Sequence, residues 1–239
     1  MTDPFRPPRG VIVLGVFRSG TSQVSRVLQA LGVDFGPASD LFAPTRDNPW
    51  GFFQRDDVLA ANNRLLHSAG CSADFPAAPE LILRLADPAC LKPVALDWKT
   101  GKRIWGLKDP RFAATLLTWI ERGRIDREGL VLVDVRRGDE ATAASILRFP
   151  MMAWLLPKVN AENVAALVER YRELVAWHIA RLRLPTLAVC LEDLIENPQR
   201  EVENLARFVA CTNPLAIESA VECTNRERIL QIYFTQRSV

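Results

Sequence analysis

Residues 11–28 read VIVLGVFRSGTSQVSRVL, and this stretch decides the fold. Val11 to Leu14 is a short, continuous apolar run, the pattern of a strand buried on both faces of a parallel sheet. A glycine-bearing turn, Gly15 to Gly20, follows. From Ser22 to Leu31 the apolar residues Val24, Val27, Leu28 and Leu31 recur at helical spacing. Two glycines five residues apart let the backbone wrap closely around an anion. The amides of the following helix N-terminus then point at it, aided by the helix dipole. Hydroxyls of Ser19, Thr21 and Ser22 add donors.

Further along the chain, short apolar runs alternate with helical patterns. Strands are expected at Ile104–Leu107, Leu130–Val135 and Thr186–Cys190, all read as buried. Helices are expected at Asp56–Ala69, Ala113–Glu121, Glu140–Leu147 and Ala161–Arg183, and from Pro198 to about Val209. One or two short helices are expected within 81–98, and a last one from Pro214. Asn197 and Pro198 suit a cap and a first helical turn. This alternation predicts a three-layer α/β/α architecture around a central parallel sheet. Residues 32–53, rich in Gly, Pro, Asp and Asn, form a loop long enough to imply a role. Residues 1–10 read as a loose arm. No repeat or linker interrupts the rest, so a single domain is expected over 1–239.

Of the 239 residues, 49% are hydrophobic and 24% charged, with a net charge of +2. That composition suits a globular chain with a sizeable core. A near-balanced charge argues against bulk nucleic-acid or membrane-surface binding. Five scattered cysteines without a CxxC pair, and two separated histidines, His67 and His178, offer no zinc signature. Reduced thiols in a soluble, cytoplasmic protein are expected. The first apolar run is too short for a signal-peptide core, and no run approaches a membrane span.

The glycine spacing of the first turn matches the triphosphatase loop GxxxxGK[ST], except that Thr21 stands at the lysine position. A triphosphatase uses that lysine on the β and γ phosphates, with magnesium beside it. Here the cation lies inside the loop, at Arg18. LVLVD at 130–134 is like a magnesium-binding strand end, with Asp134 as ligand, but it lacks the accompanying loop lysine.

The first stretch resembles the 5′-phosphosulfate loop of sulfotransferases that use 3′-phosphoadenosine 5′-phosphosulfate (PAPS), where a strand leads into a Lys- or Arg-Ser-Gly-Thr turn. Three further segments, in that family's order, strengthen the resemblance across about 11–210. In LVLVDVRRGDEATAAS, Arg137 and Ser145 correspond to the arginine and serine on the PAPS 3′-phosphate. Gly138 and Asp139 replace the proline common after the arginine, and Arg136 is placed to share its role. WGLKDPR, 105–111, resembles the WGxKDPR segment of bacterial sulfotransferases. That implies Lys108 as a catalytic cation on the bridging oxygen. Asp109 reads equally as a helix cap, and Arg111 as a phosphate contact or an ion-pair partner. CLEDLIENP, 190–198, is similar to the family's YEDLL-x-DP element, with Cys190 for the tyrosine and with Glu192 and Asp193 bracing a loop.

The resemblance implies a P-loop sulfotransferase fold and sulfuryl transfer from PAPS, without a metal, to a small-molecule or carbohydrate acceptor. Arg18, Ser19, Gly20, Thr21, Ser22, Arg137 and Ser145 would bind the donor, and Arg18, Lys108 and Asp40 would be catalytic. The family's glutamate in NPxGFFE is Gln54 here, in Asn48–Gln54, and an amide accepts no proton at neutral pH. The base is therefore Asp40, Asp56, Asp57 or none. Phe42, Trp50, Phe52 and Phe53 mark the long loop as a wall of the acceptor site or as anchors to the core. Arg226, Arg228 and Arg237 are available for the adenosine phosphates. Two alternatives stand: a P-loop kinase or nucleotide hydrolase, and a nucleotide-binding protein of this fold without catalysis.

Overall fold

A computed structural model describes residues 8–45, 48–96 and 103–225. The first seven residues of the arm, the end of the 81–98 helical segment, and Arg226, Arg228 and Arg237 lie outside the described residues. Four parallel strands form the sheet: β1 (Gly10–Gly15), β2 (Trp105–Lys108), β3 (Leu130–Arg136) and β4 (Thr186–Cys190), in the order β2-β1-β3-β4. Ile12 sits between Leu107 and Leu132 across the ladder.

Pleating divides the strands into two faces. Ile12, Leu14, Leu107, Leu130 and Leu132 enter one core. Helices α2 (Asp56–Ser68), α3 (Pro79–Leu85), α4 (Phe112–Glu121), α5 (Asp139–Arg148), α6 (Pro150–Leu155) and α7 (Val164–Leu182) contribute to it. Val11, Val13, Val131, Val133 and Val189 enter the other, against α1 (Thr21–Ala30), α8 (Leu191–Glu196), α9 (Pro198–Phe208) and α10 (Pro214–Glu222). Each fully buried Val or Leu contributes roughly 1.5–3 kcal/mol. This is the expected α/β/α arrangement with a central parallel sheet.

Differences from the expected elements are local. The strand Thr186–Cys190 is only partly buried, because β4 pairs with β3 alone among the described strands. Residues 190–198, expected as a braced loop, contain the single-turn helix α8, which Asn197 and Pro198 separate from α9. The short helix α6 begins at Pro150, with a fixed φ suited to a first turn, and its six residues are too few for a periodic signal. The long helix starts at Val164 rather than Ala161, because Asn160 side-chain bonds to the amides of Glu162 and Asn163 hold a turn there.

Candidate anion and acceptor site

The carboxyl ends of β1, β2 and β3 converge on the turn after β1. Gly15 has φ 155° and pairs with Val135. A Cβ there would lie 2.8 Å from Ser19 Oγ, from the Thr21 methyl and from the Val135 carbonyl oxygen. Gly20 takes φ 96° just before α1, and a Cβ on it would strike the Leu191 side chain at 2.8 Å. Only glycine fits either place. Ser19 Oγ donates to the Val16 carbonyl at 2.8 Å, tightening the turn. Arg18 adopts φ 64°, a left-handed conformation that costs a non-glycine residue on the order of 1–3 kcal/mol.

The side chain of Arg18 crosses to α5. Its Nε donates to Ser145 Oγ at 3.3 Å, and its guanidinium lies 3.9 Å over the Phe149 ring. Arg137 follows β3, is buried, and donates from Nη1 to the Arg18 carbonyl at 3.2 Å. Arg18 therefore forms one cluster with Arg137 and Ser145, both more than a hundred residues away in sequence. Arg172 of α7 donates to the Arg137 carbonyl and to Asp139, fixing the segment after β3. Glu192 at the start of α8 accepts from the Gly138 amide at 3.1 Å and from Cys190 Sγ at 3.1 Å. Burial pushes the Glu192 carboxyl up, but those hydrogen bonds and the Arg137 charge outweigh it and hold the pKa below the usual range. Asp134 is engaged with Arg136 at 2.7 Å.

Lys108 closes β2 abreast of Val13, so its ammonium nitrogen lies beside the turn. Only 4% of the residue is exposed. Nζ donates to Gln54 Oε1 at 3.2 Å and to Ser22 Oγ at 3.4 Å. Burial lowers its pKa to about 7; Asp109 opposes this, and the charges of Arg18 and Arg111 reinforce it. Asp109 is itself committed elsewhere. Its Oδ1 accepts from the Arg111 amide at 2.9 Å and from Arg111 Nη1 at 3.0 Å, with both residues essentially inaccessible. Asp109 thus holds both the backbone and the side chain of Arg111, the residue that precedes α4 and is its N-cap.

Asp40 is not brought to Lys108. It ends a single 3-10 turn, Ala38–Asp40, and pairs with Arg55 Nη1 at 3.2 Å, its side chain 42% exposed. Asp57, in the first turn of α2, accepts from Arg55 Nε at 3.0 Å and from the Val58 amide at 2.8 Å, while Asp56 is an exposed first-turn acid. His178 is buried in α7, its Nδ1 bonded to the Leu174 carbonyl, and it is far from this chemistry in role.

Two cavities flank the turn. One, of about 50 Å³, has Ser22, Gln54 and Lys108 at its polar end and Phe42, Phe52, Met151, Met152 and Leu155 among its walls. The other, of about 160 Å³, runs between Gly15, Ser19, Asp134, Arg137 and Arg172. The α6 methionines and Arg172 escaped sequence reasoning. Their only signal was Pro150-Met151-Met152 directly after the serine-bearing helix, and an arginine midway along an amphipathic helix. The geometry offers amides, a buried lysine and Arg18 to one anionic group, and Arg137 with Ser145 to a second, with no cluster of metal-ligating side chains among the described residues.

No protein-family model matches the chain, and no curated protein matches it. Solved structures do. The sulfotransferase domain from the curacin biosynthetic pathway aligns with a TM-score of 0.51 at 18% identity, over 88% of this chain and 77% of that one. The sulfotransferase domain of the Synechococcus PCC 7002 olefin synthase aligns at 0.50 and 17%, over 92% and 80%. Mouse sulfotransferase SULT7A1, solved with PAP, aligns at 0.48 and 11%, over 92% and 66%. With its parallel four-stranded sheet between two helical layers, the chain has the fold of the curacin and olefin synthase sulfotransferase domains.

Proposed function

We propose that the chain is a sulfotransferase that moves a sulfuryl group from PAPS to an acceptor hydroxyl or amine. The observation that carries this reading is the convergence of the Gly15–Ser22 turn, Lys108, Arg137 and Ser145 on one strand-end crevice. The residues fit the donor: a glycine-lined turn that no Cβ could enter suits the 5′-phosphosulfate, and a buried guanidinium beside a serine hydroxyl suits a 3′-phosphate. The bound donor supplies an activated sulfuryl group on a phosphate oxygen.

Arg18, Lys108 and the turn amides neutralise the charge that grows on the leaving phosphate. No metal is required, because the sulfuryl group carries less charge than a phosphoryl group. Lys108 has a second role. As an ammonium it gives a proton to the phosphate oxygen as that S–O bond breaks. The amine left behind takes the proton released by the acceptor as the bond from sulfur to the acceptor oxygen or nitrogen forms. Net, one proton passes from acceptor to phosphate. Asp40, engaged by Arg55 outside the cavity lining, favours this route over a carboxylate base. Gln54 orients the ammonium and takes no proton.

One second reading has an observation behind it. With Gln54 where a carboxylate would serve, the same site would bind nucleotide without transfer. Calorimetric titration with adenosine 3′,5′-bisphosphate, against ATP with magnesium, tests the donor site. Metal-independent binding of the bisphosphate is expected. Binding of ATP with magnesium alone would sink the reading in favour of a kinase or hydrolase. Bisphosphate binding without sulfuryl transfer to any acceptor would favour the inactive binder.

A further inference from the structure

We propose that the acceptor is an alcohol whose hydroxyl is borne on a slender apolar chain, not a sugar. The inference rests on the sulfotransferase reading for the identity of the reaction, but the cavity chemistry that carries it is independent of the donor. The cavity beside Lys108 is chemically two-sided. Its polar groups, Ser22, Gln54 and Lys108 with the phosphate turn, gather at one end. The remainder is apolar: Phe42 and Phe52 from the long loop meet edge-to-face at 5.1 Å, and Met151, Met152 and Leu155 face them from α6.

A sugar brings a hydroxyl to nearly every ring carbon, and each one buried without a partner costs roughly 1–3 kcal/mol. The walls away from Lys108 offer none. An alkyl chain has no such demand and gains from each methylene removed from water. The small volume of the cavity, about 50 Å³, favours a flexible chain over a fused ring system, and methionines accommodate such chains because they are unbranched and readily change rotamer.

The chain has three methionines, two of which line this cavity, so their methyl groups report directly on its occupancy. Protein labelled with 13C at the methionine methyls is titrated with 1-butanol, 1-hexanol and 1-octanol, and separately with N-acetylglucosamine. The Met151 and Met152 resonances are expected to shift with the alcohols and to hold still with the sugar. Affinity is expected to rise about fourfold per added methylene until the cavity is filled. Met151→Gln, at a half-buried position, is expected to weaken 1-octanol binding at least fivefold with the circular dichroism melt unchanged. Shifts with the sugar and none with the alcohols would overturn the proposal, as would silence from both cavity methionines at every chain length. Neither outcome touches the donor reading, which stands or falls on the bisphosphate titration alone.

Discussion

Lys108 Nζ donates to the side-chain carbonyl of Gln54 at 3.2 Å, so the buried ammonium at the end of β2 is met in this cavity by an amide and not by a carboxylate. Burial, opposed by Asp109 and reinforced by the charges of Arg18 and Arg111, lowers the pKa of that lysine to about 7. Gln54→Glu places a negative charge against Nζ and favours the ammonium. The alkaline limb of the kcat profile is expected to move up by a pH unit or more, and a pH–rate series checks it. An unmoved limb would mean that Lys108 is not the titrating group. Asp40→Asn, which removes one carboxylate from Arg55 and leaves it on Asp57, is expected to change kcat less than threefold.

Donor binding carries a proton signature. The Lys108 pKa is lowered to about 7 in the free protein, and anionic phosphates beside it raise it again. The complex therefore binds more protons than the free protein above pH 7. Affinity for adenosine 3′,5′-bisphosphate is expected to fall as pH rises from 7 to 9, by up to about tenfold per unit. Titration in two buffers of different ionisation enthalpy should show proton uptake at pH 8. Lys108→Met should abolish both effects, and uptake that survives this change would assign the proton elsewhere.

Arg137 and Arg18 divide structural and ligand roles differently. Arg137→Ala removes a buried guanidinium and is expected to weaken bisphosphate binding at least tenfold. Arg18→Gly removes a cation but relieves a left-handed backbone, φ 64°. Its melting temperature is expected to stay within about 4 °C of the parent, while sulfuryl transfer drops at least a hundredfold. A melting point that fell with activity would make Arg18 a structural residue.

The Asp109–Arg111 pair is fully buried, and removing one partner strands the other charge. Arg111→Met is expected to cost about 3–5 kcal/mol in urea unfolding, more than loss of any surface pair. The double change Asp109→Asn with Arg111→Met should recover part of that loss. A single change costing under 1 kcal/mol would show that water reaches the site.

Much of this was legible in the residues themselves. Parallel strands with apolar runs place Gly15, Lys108 and Arg137 at neighbouring strand ends, so segments distant in sequence meet by topology alone. The glycines at 15 and 20 announce a turn around an anion, because no other residue tolerates the space. What stayed hidden depends on side-chain direction. No spacing rule shows that Arg18 turns toward Ser145 and Phe149, that Asp109 spends itself on Arg111, or that Asp40 faces Arg55. A six-residue helix such as α6 gives no periodicity, so Met151 and Met152 passed as connection.

The two halves of the crevice stand on different kinds of element. The groups proposed to hold the donor stand on strand ends, on the turn after β1 and on α5. Phe42, Phe52, Met151, Met152 and Leu155 stand on a loop and a short helix that add nothing to the ladder. On the proposed function, exchanging side chains of that loop and short helix changes the acceptor and leaves the donor-holding strand ends untouched. For protein engineering on that function, the practical boundary is to vary Phe42, Phe52, Met151, Met152 and Leu155 to change what is modified, and to leave Gln54 and the strand ends alone.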